Sequence, residues 1–144
     1  MQQPTVETLI ETARAAARKA YCPYSNYPVG AALLARDGRI FTGCNVENAS
    51  YGLTICAERV ALTGAVAQGA SDFVALALAA GADEPATPCG ACLQVLVEFC
   101  PPEMPVSFAT LSGGTVRTLP LRDFLPYAFR LQTAPLDAIH EQTP

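Results

Sequence analysis

Three cysteines and one glutamate stand at spacings that suit a catalytic metal centre. Cys56 and Glu58 are two residues apart, and Cys89 and Cys92 are three apart. Residues three apart lie on one side of a helical turn, so the latter two sulfurs can reach the same ion. Three thiolates suit zinc, which in catalytic sites keeps its fourth position for water. Glu58 is then the acid/base candidate, because a carboxylate beside an activated water can move protons.

Both motifs are typical of the first turn of a helix. Thr54 is a plausible N-cap for a helix that runs to about Gln68 and stops at Gly69. Pro88 suits the start of another helix that continues to Phe99. We expect the two N-termini to meet at one edge of a sheet, where ligand sites commonly form.

The other elements predict an α/β fold. Apolar residues at helical spacing indicate a helix from Thr5 to about Ala20. Asp37-Gly38 between two apolar runs is a strong hairpin signal, and residues 73–80 are apolar throughout, as in a buried central strand. The strands are expected at residues 29–35, 40–44, 73–80, 106–110 and 115–119. Together they predict a mixed five-stranded sheet in a three-layer α/β/α arrangement.

Length and charge narrow the classes of partner. With 144 residues and 51% hydrophobic content, the chain suits one globular domain. We expect that domain to cover residues 1–130 and to be followed by a partly ordered tail, residues 131–144. The net charge of −4 disfavours a nucleic-acid partner, since phosphate binding depends on clustered cations. A small-molecule substrate is easier to reconcile with this charge.

The sequence also predicts a cytoplasmic protein. It lacks an apparent export signal at its start, and its longest apolar run, residues 73–80, is too short to span a bilayer. We therefore expect no membrane association. Thiols stay reduced in the cytoplasm, so the Cys-x-x-Cys motif is better interpreted as a metal site than as a disulfide.

Several segments together resemble the zinc-dependent cytidine deaminases, in the form that carries Cys where other members carry His. The segments that carry this resemblance are Cys56-Ala57-Glu58, Pro88-Cys89-Gly90-Ala91-Cys92, the run from Tyr24 to Leu33, Asn45-Val46-Glu47-Asn48, and Leu125-Pro126 with Phe129. The resemblance implies a cytidine deaminase-like fold, a Zn²⁺ cofactor and a homotetramer whose subunits share active sites. It further implies hydrolytic deamination of cytidine and 2′-deoxycytidine to uridine and 2′-deoxyuridine in pyrimidine salvage, with release of ammonia.

The resemblance also implies how the substrate is held. Asn45 and Glu47 alternate along an extended segment, so both can face one side, and by resemblance they hold the 3′-hydroxyl region of the nucleoside. The other implied contacts are Tyr27 against the base, the Ala57 N–H and the Thr87 carbonyl on the base's polar edge, and Tyr51 and Phe129 lent to a neighbouring subunit.

Charge at the metal raises a further point. Three thiolates on Zn²⁺ leave a net negative centre, and Arg59 is the candidate cation that compensates it. In the resembled family an Arg usually follows the Cys-x-x-Cys motif, whereas this chain has Leu93. The departure removes one positive charge near the metal.

Several alternatives remain open at this point. Cys44 could complete a closed, purely structural zinc site, and Glu58 could merely cap its helix. Arg59 could face solvent, and Asn45 with Glu47 could serve only the turn. Tyr27, Tyr51 and Phe129 could be core aromatics. The substrate could be another aminopyrimidine nucleoside, such as the antibiotic of the blasticidin deaminases. The chain could also be a non-catalytic, zinc-stabilised binding module.

Overall fold

The computed structural model describes residues 2–131 of the chain. Its helices and strands follow one another in the order α1 (Val6–Ala17), β1 (Val29–Ala35), β2 (Ile40–Cys44), α2 (Ala57–Ala67), β3 (Phe73–Ala80), α3 (Gly90–Phe99), β4 (Pro105–Thr110), β5 (Gly113–Pro120) and α4 (Leu121–Phe124). A short 3₁₀ turn, Tyr51–Leu53, precedes α2. The expected tail falls almost entirely on residues 132–144, which lie outside the described residues.

The strands form one mixed sheet in the order β2-β1-β3-β4-β5. β1 is antiparallel to β2 and β3, β4 is antiparallel to β5, and β3 and β4 are parallel. A parallel pair needs a crossover connection, and α3 supplies it here. The predicted mixed five-stranded sheet is confirmed.

The sheet is covered by helices on both faces. One core cluster joins α2 and α3 to side chains such as Leu33, Leu76 and Leu78. A second cluster joins α1 to the alternate residues of the same strands, among them Ala77 and Ala79. Because successive strand residues face opposite sides, the apolar run of β3 fills both cores. The three-layer prediction is therefore confirmed.

Two glycines let helices lie directly on the strands. A Cβ on Gly43 would stand 2.2 Å from the Ala57 carbonyl oxygen, at the first turn of α2. A Cβ on Gly30 would stand 1.9 Å from the Ala13 carbonyl oxygen of α1. Both distances are far below van der Waals contact, so only glycine fits. Gly43 thereby sets how close the start of α2 lies to the sheet.

The helix starts differ from the prediction by two or three residues. α2 begins at Ala57 with Cys56 as its N-cap, and α3 begins at Gly90 with Cys89 as its N-cap. Thr54 is therefore not the cap of α2. The preceding segment is held extended by the pairing of Val46 with Ile55, residues nine apart in the chain. Both helices therefore have a cysteine as their N-cap.

Two smaller findings concern the bounds of α1 and the length of the apolar helices. α1 ends at Ala17, three residues before the predicted end, while its predicted N-cap Thr5 does accept a hydrogen bond from the Thr8 N–H. Within residues 2–131, no helix is long and apolar enough to cross a bilayer.

Candidate active site

The three cysteine sulfurs converge on one point. The Sγ atoms of Cys56, Cys89 and Cys92 all lie within 4.8 Å of one another, and the first two are 3.9 Å apart. Zn–S bonds of about 2.3 Å in a tetrahedron place two sulfurs about 3.8 Å apart. The donor set therefore fits zinc in both chemistry and spacing. Among the described residues Cys44 is not a member of this group, which removes the closed four-cysteine site as proposed from the sequence.

The convergence follows from where the cysteines stand on their helices. Cys56 and Cys89 are N-caps with extended backbone, at φ −73° and −72°, and Cys92 is buried in the first turn of α3. Free N–H groups and the positive dipole end of each helix lie beside the sulfurs. These groups favour thiolates, because the N-terminus of a helix attracts negative charge. The fold thus offers zinc three sulfurs in an electropositive setting.

The thiols influence each other's protonation. A hydrogen bond from Cys92, assisted by Arg59, lowers the pKa of Cys56 to about 5. The same bond to Cys56, together with burial, raises the pKa of Cys92. Of this pair, Cys56 is therefore the thiolate, and Cys92 retains its proton and donates it to the Cys56 sulfur. Zinc can replace that proton, since metals bind cysteine as thiolate.

Arg59 lies against the metal ligands instead of facing solvent. Its Nη2 donates to the Cys56 sulfur at 3.3 Å, and this contact raises the pKa of the guanidinium. Its Nε is buried and has no acceptor within residues 2–131. Leu93, by contrast, is 5% exposed and packs in the larger core cluster. The position after the Cys-x-x-Cys motif therefore serves packing in this chain, and Arg59 is in place to offset the charge.

Glu58 is a buried carboxylate at the second position of α2. It is 4% exposed, and burial raises the pKa of its side chain above the usual range for glutamate. A carboxyl group of raised pKa can both accept and return a proton near neutral pH. Its burial also shows that Glu58 is not a solvated capping residue.

A pocket opens beside the cysteines and Glu58. Its volume is about 400 Å³, within the range for small-molecule sites. The residues that line it include eight of those predicted to act in the site, namely Tyr27, Asn45, Glu47, Cys56, Ala57, Glu58, Thr87 and Cys89. The structure therefore brings the acid/base candidate, the metal group and the predicted sugar and base contacts into one cavity.

Asn45 has less freedom than its predicted role suggests. It is 7% exposed, its Oδ1 accepts from the Val29 N–H at 2.8 Å, and its Nδ2 donates to the Tyr27 carbonyl at 2.8 Å. One N–H of the amide remains for a ligand. Asn45 therefore also fixes the segment that carries Tyr27.

Tyr51 and Phe129 do not line this pocket. They are 75% and 68% exposed, so neither is a core aromatic. Tyr51 packs edge-on against Tyr24, with ring centroids 5.7 Å apart, beside a recess of about 250 Å³ that adjoins the pocket. The Phe129 carbonyl accepts from Gln94 Nε2 at 3.0 Å. Both rings are thus free to contact another molecule.

Ser25 belongs to the site but does not stand out in the sequence. It lines both the pocket and the adjoining recess, and its hydroxyl contacts Glu47. The run from Tyr24 to Leu33 contains it, yet a serine in a loop carries no chemical signal of its own. Only the fold shows that this loop faces residue 47.

Comparison with known proteins agrees with this geometry. Residues 3–108 match a family described as the cytidine and deoxycytidylate deaminase zinc-binding region. A cytidine deaminase from Sporosarcina psychrophila is 50% identical over 124 residues, which is 86% of this chain and 90% of that protein. One from Mycobacterium tuberculosis is 46% identical over 120 residues, covering 83% of this chain and 86% of the relative.

Solved structures show the same similarity. A cytidine deaminase from Burkholderia pseudomallei has a TM-score of 0.83 and 50% identity, and the match covers 88% of this chain and 100% of that one. The structure of the cytidine deaminase from Mycobacterium tuberculosis has a TM-score of 0.78 and 43% identity, with 90% and 100% covered.

Proposed function

The chain belongs to the cytidine deaminase family of zinc-dependent hydrolases, and on that premise we propose that it converts cytidine and 2′-deoxycytidine to uridine and 2′-deoxyuridine. The reaction adds one water at C4 of the base and releases ammonia, a step of pyrimidine salvage. One observation carries the proposal. The buried carboxylate of Glu58 lies at the wall of a pocket of about 400 Å³, two residues from a cysteine of the cluster whose three sulfurs can hold a metal ion.

Cys56, Cys89 and Cys92 hold the metal in this proposal. Bound zinc supplies the Lewis acidity that activates a water at neutral pH. Arg59 donates to the Cys56 sulfur and offsets part of the negative charge of the three thiolates. The predicted use of Arg59 for charge compensation is thus supported by its 3.3 Å contact.

Glu58 carries the protons of the reaction. It accepts one from the attacking water and delivers it to N3 of the cytosine ring, which makes C4 more electrophilic. It then takes the proton of the new C4 hydroxyl and passes it to the departing amino group, so that ammonia leaves and the C4 carbonyl forms. One buried carboxyl group of raised pKa can serve as base and acid in turn.

The pocket walls orient the nucleoside. Tyr27 packs against the base, the Ala57 N–H donates to the base carbonyl, and the Thr87 carbonyl accepts from the amino group. Asn45 and Glu47 take the sugar hydroxyls. The support for these roles is that all five residues line the one cavity that also contains Glu58.

We also place the enzyme in the cytoplasm as one domain, residues 1–130, that assembles as a homotetramer. All six cysteines of the chain are free, and thiolate ligands persist where thiols stay reduced. The exposed rings of Tyr51, beside the recess that adjoins the pocket, and of Phe129 suit contact with a neighbouring subunit that completes the site.

A substrate panel tests the reaction. Purified protein is given cytidine, 2′-deoxycytidine, free cytosine, 2′-deoxycytidylate and an aminopyrimidine nucleoside antibiotic, and ammonia release is measured with the change in base absorbance. We expect turnover of the first two, with one ammonia per uracil nucleoside. Preference for the nucleotide or the antibiotic would overturn the substrate assignment, and zinc-loaded protein without turnover of any compound would indicate a binding module.

A further inference from the structure

The Glu47 carboxylate is fixed by the loop that precedes β1. Its Oε1 accepts from the Tyr24 N–H at 3.0 Å and the Ser25 N–H at 3.1 Å, and its Oε2 accepts from the Ser25 hydroxyl at 2.5 Å. All three donors come from two adjacent residues. Glu47 therefore does not reach freely into the pocket but is held in one orientation.

Ser25 also connects Glu47 to the residue proposed to contact the base. Its Oγ accepts from the Tyr27 N–H at 3.1 Å while it donates to Glu47. The intervening Asn26 has φ 52° and donates its N–H to the Cys22 carbonyl at 2.9 Å, which closes the turn. Asparagine tolerates this left-handed conformation better than most residues. One hydroxyl thus links the sugar side of the pocket to the base side.

We infer that Ser25 is a positioning residue for substrate binding, whose hydroxyl aims the remaining acceptor of Glu47 at the 3′-hydroxyl of the nucleoside. A carboxylate has about four acceptor positions, and the loop occupies three of them. The position that remains suits a hydroxyl donor and rejects a phosphate oxygen, which offers no proton and carries like charge. The inference rests on the proposed function and extends it to a residue that has no role there.

The charge state of Glu47 agrees with this role. The hydrogen bond from the Ser25 hydroxyl is the main cause that lowers the pKa of the Glu47 carboxyl. The carboxylate thus stays ionised and purely an acceptor at neutral pH. A turn that served only the fold would give the same hydrogen bonds but no dependence on the sugar hydroxyl.

The test is Ser25→Ala assayed on three substrates. For cytidine we expect KM to rise about tenfold, the effect of losing about one hydrogen bond to a charged group, while kcat changes less than about twofold. The same loss of kcat/KM should appear with 2′-deoxycytidine, which keeps the 3′-hydroxyl. It should be absent with 3′-deoxycytidine, on which both enzymes are equally poor. Ser25→Thr, which keeps a hydroxyl, should restore most of the affinity.

Two further variants keep the result decisive. Combining Ser25→Ala with Glu47→Gln should weaken cytidine turnover no more than Glu47→Gln alone, because Ser25 acts through Glu47. Ser71→Ala, at an exposed serine outside the pocket, is the matched control and should behave as the parent does. Equal losses on all three substrates, additive losses in the double variant, or a normal Ser25→Ala enzyme would each overturn the role of Ser25. The proposed function fails separately, if the parent enzyme does not deaminate cytidine.

Discussion

At the scale of single residues, the proposed chemistry depends on a carboxyl group that is kept from solvent. Glu58 is buried beside the three sulfurs, and the surrounding protein favours its protonated form. The same burial would be costly for a group without a function, because an ionised carboxylate loses its hydration there. Its location is therefore best explained by proton transfer.

Glu58→Gln keeps the shape of the side chain and removes its ability to accept a proton. We expect kcat for cytidine to fall by about 10²–10⁴-fold, the usual contribution of general acid–base catalysis, with zinc content unchanged. Glu98→Gln, at an exposed carboxylate on α3, is the matched control and should keep full activity. Turnover within a few-fold of the parent in Glu58→Gln would remove this residue from the mechanism.

The buried thiol of Cys100 should make the free energy of unfolding depend on pH in the alkaline range. Burial raises the pKa of its thiol to about 12, from an ordinary value of 9.0. The unfolded chain therefore loses this proton first, and the folded state is disfavoured progressively as pH rises from 9 to about 12. The free energy of unfolding should fall by up to about 1.4 kcal/mol per pH unit from this group.

Urea unfolding of the parent and of Cys100→Ala at several pH values isolates that effect. All other thiols and tyrosines are common to both proteins, so the difference between the two curves reports Cys100. The parent should lose stability more steeply above pH 9. Parallel curves would show that the buried thiol does not contribute in this way.

At the scale of helices and strands, the metal group depends on how closely two helix starts lie to the sheet. Gly43 contacts the first turn of α2, which carries Cys56 and Glu58, whereas Gly30 contacts α1 on the opposite face. A methyl group at either position must push a helix away, which costs about 1–3 kcal/mol. The two positions are alike in sterics and differ in what they displace.

Gly43→Ala should therefore lower both stability and kcat/KM, because it shifts Cys56 and Glu58. Gly30→Ala should lower stability by a similar amount and leave the kinetics of the folded enzyme nearly unchanged. Gly64→Ala, where nothing lies within 4 Å of the added Cβ, is the control. Thermal melts and steady-state kinetics measure the three variants. Equal kinetic losses in Gly43→Ala and Gly30→Ala would argue against this account.

The sequence predicted most of this architecture and less of its detail. β1, β2 and β3 agree with the predicted bounds because their apolar runs end at turn residues such as Gly38. The starts of α2 and α3 do not agree. For α2, the Val46–Ile55 pairing, between residues nine apart in the chain, keeps the preceding segment extended. A prediction from local sequence propensity does not capture such a contact.

The site shows the same division between local and long-range information. Cysteine spacing was enough to predict the metal group, because thiol chemistry allows few alternatives. The sequence does not single out Ser25, because its proposed role depends on Glu47, 22 residues away. The sequence predicts that Asn45 contacts the substrate, but its amide also bonds the Tyr27 and Val29 backbone, which only the fold reveals.

At the scale of the whole molecule, the proposed function takes part of the site from another subunit. Phe129 is exposed and does not line the pocket, so the role we propose for it requires a second copy of the chain. Native mass spectrometry should show a homotetramer. Phe129→Ala should lower kcat/KM for cytidine by about tenfold, in line with a lost aromatic contact of about 1.4 kcal/mol.

Mixing variants tests the sharing directly. In a tetramer formed from Glu58→Gln and Phe129→Ala subunits, some pockets combine an intact Glu58 with an intact Phe129. The activity of the mixture should therefore exceed the mean activity of the two separate variants. Phe129→Ala mixed with the Glu58→Gln/Phe129→Ala double variant has no such pocket and should show no gain. Activity equal to the weighted mean in both mixtures would confine Phe129 to its own subunit.

We propose that Cys56, Cys89 and Cys92 hold one zinc ion. Deamination of cytidine requires both this ion and Glu58. The direct measurement is to strip the purified enzyme with a chelator, add zinc in steps, and record bound metal and cytidine turnover on the same samples. We expect turnover to be lost on stripping and to return linearly with added zinc, up to one ion per subunit. Full turnover in metal-free enzyme, or one tightly bound zinc per subunit without any turnover, would contradict it.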